Sequence, residues 1–148
     1  MNTAYIGIGS NQHNPKYHVV KGIRDINHLP KIDIQKKSSL YETLPVGPQN
    51  QPNFINAVIK IATSYQPREL LTILQSIEKK HHRKRTKKWG PRTLDLDILI
   101  YDDIILDSDV LKIPHPEIIH RDFVLIPLLE ITGYNFRMPK FGKLIQYV

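Results

Sequence analysis

Asp95 and Asp97 stand two residues apart in Leu94-Asp95-Leu96-Asp97-Ile98-Leu99-Ile100, an otherwise apolar run of strand type. Side chains alternate along a strand, which puts Leu94, Leu96, Ile98 and Ile100 on one face and both aspartates on the other. Neighbouring carboxylates repel and are costly to desolvate, so a strand this apolar rarely carries them without a compensating cation. A pair of Mg²⁺ ions is the simplest candidate, and Mg²⁺ usually brings substrate phosphates with it. Two carboxylates holding two hard cations suit a phosphoryl-type transfer, in which attacking and leaving oxygens are clamped together. The plain alternative is an edge strand whose aspartates are merely solvated. Arg92, three residues before Asp95, and the cations preceding it favour the catalytic reading.

Those cations form one segment. Residues 79–88, Lys-Lys-His-His-Arg-Lys-Arg-Thr-Lys-Lys, hold seven Lys and Arg and no acid. The chain carries 21 Lys and Arg against 14 Asp and Glu, so outside this segment it is formally neutral. A local basic excess points to a local polyanion site rather than a generally cationic surface. Because the segment runs into Trp89-Gly90-Pro91-Arg92 and the acidic pair, its cations can neutralise charge on a polyphosphate in the transition state. Two other classes stay open. A ferredoxin-like RNA-binding module explains the basic segment but not the aspartates, and no aromatic RNP motif is present. A two-metal nucleotidyltransferase or nuclease shares the acidic pair and differs in its products. The residues alone therefore reach a Mg²⁺-dependent enzyme acting on a phosphate compound.

Other motifs add little. Gly7-Ile8-Gly9-Ser10 is an incomplete dinucleotide fingerprint that reads better as a strand end or a close-packing site, and no P-loop occurs. His115 and His120 are five apart, which does not give two zinc ligands on one helix face.

The elements that must position these groups follow from periodicity. The 148 residues suit a single domain spanning 1–148, with 41% hydrophobic and 24% charged residues. There is no cysteine, which fits a reducing compartment. No secretory signal or membrane-length apolar run is present, so a cytoplasmic location is expected. Ala4 to Gly9 reads as a buried strand. Asn14-Pro15 reads as a helix cap followed by proline at the first helical position, with Val19, Ile23 and Ile26 on the inner face. Ile32 to Thr43 reads as one strand, residues 44–53 as a proline-rich loop, and Ile55 to Ile61 as a third strand. Gln66-Pro67 opens a second helix with Leu70, Leu74 and Ile77 inside, ahead of the aspartate strand. Asp102-Asp103 reads as a turn into a short strand, Ile104 to Leu106, and Pro127 as lying near the start of a short helix through Glu130. The order β-α-β-β-α-β predicts an α+β ferredoxin-like sandwich, mostly antiparallel, with both long helices on one face and C-terminal additions.

The run Lys88 to Ile100 resembles the signature of the 6-hydroxymethyl-7,8-dihydropterin pyrophosphokinase family of folate biosynthesis. Ala4 to Asn11 resembles that family's opening strand, Tyr41 to Gln49 its first pterin loop, Gln51 to Asn56 the following segment, and Val110 to Phe123 a fourth block. The blocks fall in the family's order over nearly the whole chain. The resemblance implies transfer of the β,γ-pyrophosphate of ATP to the hydroxymethyl oxygen of the dihydropterin, with release of AMP. It implies two Mg²⁺ ions on Asp95 and Asp97, with Asp95 also bordering the pterin, and phosphate contacts from Arg83, Arg85, Lys88 and Arg92. Arg83, Arg85 and Arg92 join the aspartates as the implied catalytic set. Glu78, Trp89, Ile98, Lys112, His115 and Arg121 would line the nucleotide site. Thr43, Leu44 and Val46 would meet the pterin, Asn56 would bond its edge, and Phe54 and Phe123 would enclose its ring. ATP and the pterin are the implied partners, with no nucleic acid or membrane and a monomer as the default. The chain departs from the common pattern at Lys88 for arginine, Phe54 for tyrosine, Leu44 for proline and Pro116 for an aromatic residue. The segment between Glu78 and Trp89 is one residue shorter than in some members, and the C-terminus is short.

Overall fold

The protein is described from a computed structural model, and the residues described are 1–45, 47, 50–81 and 93–148. Nine strands and three α-helices appear among these residues: β1 (Asn2–Ser10), α1 (Pro15–Asn27), β2 (Ile32–Lys37), β3 (Tyr41–Thr43), β4 (Phe54–Thr63), α2 (Pro67–Lys80), β5 (Asp95–Tyr101), β6 (Leu106–Asp107), β7 (Lys112–Ile113), α3 (Asp122–Thr132), β8 (Arg137–Met138) and β9 (Gly142–Lys143). The main sheet runs β2-β4-β1-β5, entirely antiparallel, with β3 on the same side of β4 as β2. The arrangement is α+β and ferredoxin-like, as the element order predicts.

Two apolar layers sandwich the sheet. Ala4, Ile6 and Ile8 of β1 and Ala57, Ile59 and Ile61 of β4 pack against Val19 and Ile26 of α1 and Leu70, Leu74 and Ile77 of α2. Each fully buried large side chain here contributes about 1.5–3 kcal/mol relative to exposure. On the reverse face, Tyr5 and Val58 meet Leu125, Leu128 and Leu129 of α3, together with Met138 and Leu144. The two long helices therefore share one face, and α3 covers part of the other.

Four local expectations need correction. Ile32 to Thr43 is not one strand: Ser38 donates its N–H to the Val58 carbonyl at 2.9 Å, and its hydroxyl accepts the Val58 N–H at 2.9 Å. A serine side chain thereby replaces a ladder group, and the strand breaks into β2 and β3. Asn14 occupies the cap position of α1, but its backbone is left-handed (φ 68°) and its side chain makes no capping bond. By contrast, the Glu69 side chain accepts the Gln66 N–H at 3.0 Å in a capping box at α2. Pro127 lies within α3 rather than near its start. It cannot donate to the Phe123 carbonyl, and its side chain is buried. The strand expected over Ile104 to Leu106 begins only at Leu106, because the Ile104 N–H bonds back to the Tyr101 carbonyl at 3.1 Å.

Candidate active site

The aspartate strand β5 is the edge of the main sheet beside β1, where Gly9 pairs with Asp95, Ile8 with Leu96 and Gly7 with Asp97. Leu94, Leu96 and Ile98 point into the α1/α2 core, as alternation requires, and the half-buried aspartates point to the other face. Ile100 does not follow. Tyr5 pairs with Ile100 but Ile6 pairs with Ile98, so Leu99 is an extra residue, a β-bulge. Beyond it the parity inverts, and Leu99 and Ile100 join the reverse core while Tyr101 joins the first. The Leu99 carbonyl accepts the His115 N–H at 2.8 Å, so the bulge docks the segment carrying His115 beside the aspartates.

A cavity of about 470 Å³ opens on this face. Its floor is Gly7 and Gly9, whose lack of side chains leaves room above the strand. A Cβ built on Gly9 would lie 2.6 Å from Asn56 Oδ1, so this glycine is what admits the Asn56 amide. Asn56 is itself buried, and its Nδ2 donates to Thr43 Oγ1 at 2.9 Å, which fixes the amide's orientation. Thr43 and Phe54 face each other across β3 and β4, and Phe123 and Arg121 come from the first turn of α3 and the residue before it. The Arg121 guanidinium lies 5.8 Å from the centroid of the Phe123 ring.

His115 Nδ1 accepts the Glu117 N–H at 3.1 Å, which leaves Nε2 to carry the proton of the neutral ring. Burial first, and then the Arg121 charge, hold its pKa below the ordinary 6.5, against the opposing pull of Asp95 and Glu117. The imidazole can therefore donate one hydrogen bond without becoming a cation.

At the β5 edge the cavity continues towards α2. Glu78 is buried, and its Oε2 accepts the Leu96 N–H at 2.8 Å. Lys112 pairs with Asp107 at 2.5 Å. Every described residue picked out from the sequence lines this one cavity: Asp95 and Asp97; Glu78, Ile98, Lys112, His115 and Arg121; Thr43, Leu44, Phe54, Asn56 and Phe123. Val46, Arg83, Arg85, Lys88, Trp89 and Arg92 lie outside the described residues. Sequence reasoning missed Leu71 and Gln75, which line the cavity from α2. They precede Glu78 by seven and three residues, so helical spacing from that glutamate is the signal that finds them.

Among the described residues no group of three or more His, Asp or Glu converges on a possible cation. A cation here would take carboxylate oxygens from the Asp95/Asp97 pair and complete its shell from substrate and water. That donor set suits Mg²⁺, which favours one or two carboxylates plus substrate phosphates over an all-protein cage.

A family model described as 7,8-dihydro-6-hydroxymethylpterin-pyrophosphokinase matches residues 5–133. The chain belongs to this family. A 2-amino-4-hydroxy-6-hydroxymethyldihydropteridine pyrophosphokinase of Haemophilus influenzae is 44% identical over 133 residues, 90% of this chain and 83% of that protein. The pyrophosphokinase of the same description from Aquifex aeolicus is 43% identical over 131 residues, covering 88% and 81%. Among solved structures, the Plasmodium falciparum HPPK-DHPS wild type with SDX-DHP superposes with a TM-score of 0.73 at 15% identity. That alignment covers 99% of this chain and 43% of the Plasmodium chain, and it shows that the pyrophosphokinase fold is shared. No described helix is long and apolar enough to cross a membrane.

Proposed function

We propose that this chain transfers the pyrophosphoryl group of ATP to the hydroxymethyl oxygen of 6-hydroxymethyl-7,8-dihydropterin, releasing AMP. The observation that carries the reading is the single cavity in which the carboxylate pair, an amide, two aromatic rings and three basic side chains meet. Family membership supports the reaction, and the lining of the cavity supports the division of labour proposed within it.

Asn56 offers donor and acceptor to the edge of a heteroaromatic ring, and Phe54 and Phe123 offer the ring their faces. Asp95 and Asp97 are the residues that would hold Mg²⁺, two ions in this reading. Bound there with ATP, the metal would neutralise phosphate charge and lower the barrier to attack at the β-phosphorus. His115 donates Nε2–H towards a phosphate oxygen, and Arg121 adds fixed positive charge from the base of α3. Lys112, Ile98 and Glu78 border the nucleotide at the β5 edge. Arg83, Arg85, Lys88 and Arg92 are proposed as further phosphate contacts, Trp89 as part of the nucleotide wall and Val46 as part of the pterin wall. The chemistry is placement and charge neutralisation, with no covalent enzyme intermediate. A single-domain monomer in the cytoplasm completes the proposal; the absence of cysteine supports a reducing compartment.

The test is AMP release from ATP and Mg²⁺ with and without the dihydropterin. Pterin-dependent AMP without ADP is expected. ADP in its place would make the chain an ordinary kinase, and no turnover by folded protein would overturn the reading.

A further inference from the structure

Glu130, near the C-terminal end of α3, gathers the chain just ahead of the pterin wall. Its carboxylate accepts the Ser39 N–H at 3.0 and 3.1 Å, the Ser39 hydroxyl at 2.9 Å and the Tyr41 hydroxyl at 2.6 Å. The bond to Glu130 pushes the Tyr41 phenol up to about 12, and the same bond is the main cause that holds the Glu130 carboxyl below its usual range. Three donors on one carboxylate, the Ser39 N–H shared between both oxygens, make a clamp between α3 and the start of β3.

What the clamp holds is a short element with little else to hold it. β3 is three residues long, and among the described residues its only strand partner is β4. Tyr41 pairs with Asn56 and Thr43 with Phe54, so all four side chains share the cavity face. The far end of the same helix carries the opposing wall. Phe123 and Glu130 are seven residues apart in α3, two helical turns and about 10 Å, and lie on one side of it. One rigid element thus presents Phe123 to the cavity and ties β3 down from its other end.

We propose that Glu130 is a positioning residue for the pterin. By binding Ser39 and Tyr41 it sets the separation between Phe123 and the wall formed by Thr43, Phe54 and Asn56. The inference rests on the pyrophosphokinase reading. The proposed nucleotide contacts at β5 lie three strand spacings from β3, about 14–15 Å away, with β4 and β1 between. Arg121, the nucleotide contact that precedes α3, stays in place because Leu125, Leu128 and Leu129 hold the helix in the reverse core, so loss of the clamp frees β3 and acts on the pterin wall.

The experiment measures KM for each substrate, and kcat, in the wild type, Glu130→Ala, Tyr41→Phe and the double variant. Because Glu130 and Ser39 are exposed, the variants are expected to fold with thermal midpoints close to the wild type. Glu130→Ala is expected to raise the pterin KM about five- to tenfold, with ATP KM and kcat within about twofold. Tyr41→Phe, which removes one donor of the three, is expected to raise it about two- to threefold. The double variant is expected to match Glu130→Ala, since both changes act through one carboxylate. An unchanged pterin KM, or equal rises in both KM values, would overturn the clamp while leaving the pyrophosphokinase reading intact. No pterin-dependent AMP from the wild type would overturn both.

Discussion

The Glu78 carboxylate accepts the backbone N–H of Leu96 at 2.8 Å, and Leu96 is the residue between the two cavity aspartates. Leu96 sits on the outer strand of the sheet, so without Glu78 its buried N–H has no ladder partner on that side among the described residues. Glu78→Ala is expected to cost about 1–3 kcal/mol, the penalty for an orphaned buried donor. Glu78→Gln keeps an acceptor oxygen and is expected to cost less than the alanine variant. Urea unfolding of the pair checks this; equal losses for the two would mean that the bond to Leu96 contributes nothing.

Asp97→Asn removes a charge without changing shape. Turnover is expected to fall about 100-fold or more, the scale seen when one preorganised electrostatic contact is lost. Chelation of divalent cations is expected to abolish AMP release by the wild type, and added Mg²⁺ to restore it. Near-normal AMP production by Asp97→Asn would remove Asp97 from the metal site.

Gly9 and Gly7 floor the cavity but tolerate a methyl group differently. At Gly9 the new Cβ falls 2.6 Å from Asn56 Oδ1, whereas at Gly7 it meets Leu99 Cδ2 at 3.4 Å. Gly9→Ala is expected to swing the Asn56 amide off Thr43 and raise the pterin KM several-fold, about the value of one lost hydrogen bond. Gly7→Ala is expected to leave the pterin KM near the wild-type value. Similar pterin KM values in the two variants would mean that the Asn56 amide has no part in holding the ring.

His115 titrates below 6.5 in the folded protein because burial disfavours its charged form. The unfolded chain therefore binds more protons near pH 6, and stability falls as pH drops through 6.5 towards the lower folded value. His115→Gln stays neutral and is expected to flatten that part of the stability–pH curve. Denaturation midpoints from pH 7.5 to 5 test it; identical slopes for wild type and variant would show that His115 does not contribute.

Much of the site was legible because its residues sit in local patterns. Asp95 and Asp97 break an apolar strand, and the Gln66-Pro67 start and Leu70/Leu74/Ile77 stripe mark α2 without reference to anything distant. The break between β2 and β3 was hidden, since it depends on Ser38 meeting Val58 twenty residues away. Helix α3 was misjudged for a related reason. Its Pro127 lies inside the helix and is buried there, and no local period marks a proline as interior.

The sequence by itself determined the element order, the apolar faces of α1 and α2 and the parity that sets both aspartates on one side of β5. These are short-range consequences of a 3.6- or 2-residue period. Only the tertiary structure decided that Gly7 and Gly9 lie beside those aspartates on the neighbouring strand, that a bulge at Leu99 turns a carbonyl to His115, and that Glu130 reaches Ser39 and Tyr41. Each of these relations joins residues far apart in the chain. Strand register and the docking of α3 establish them, and no local period encodes either.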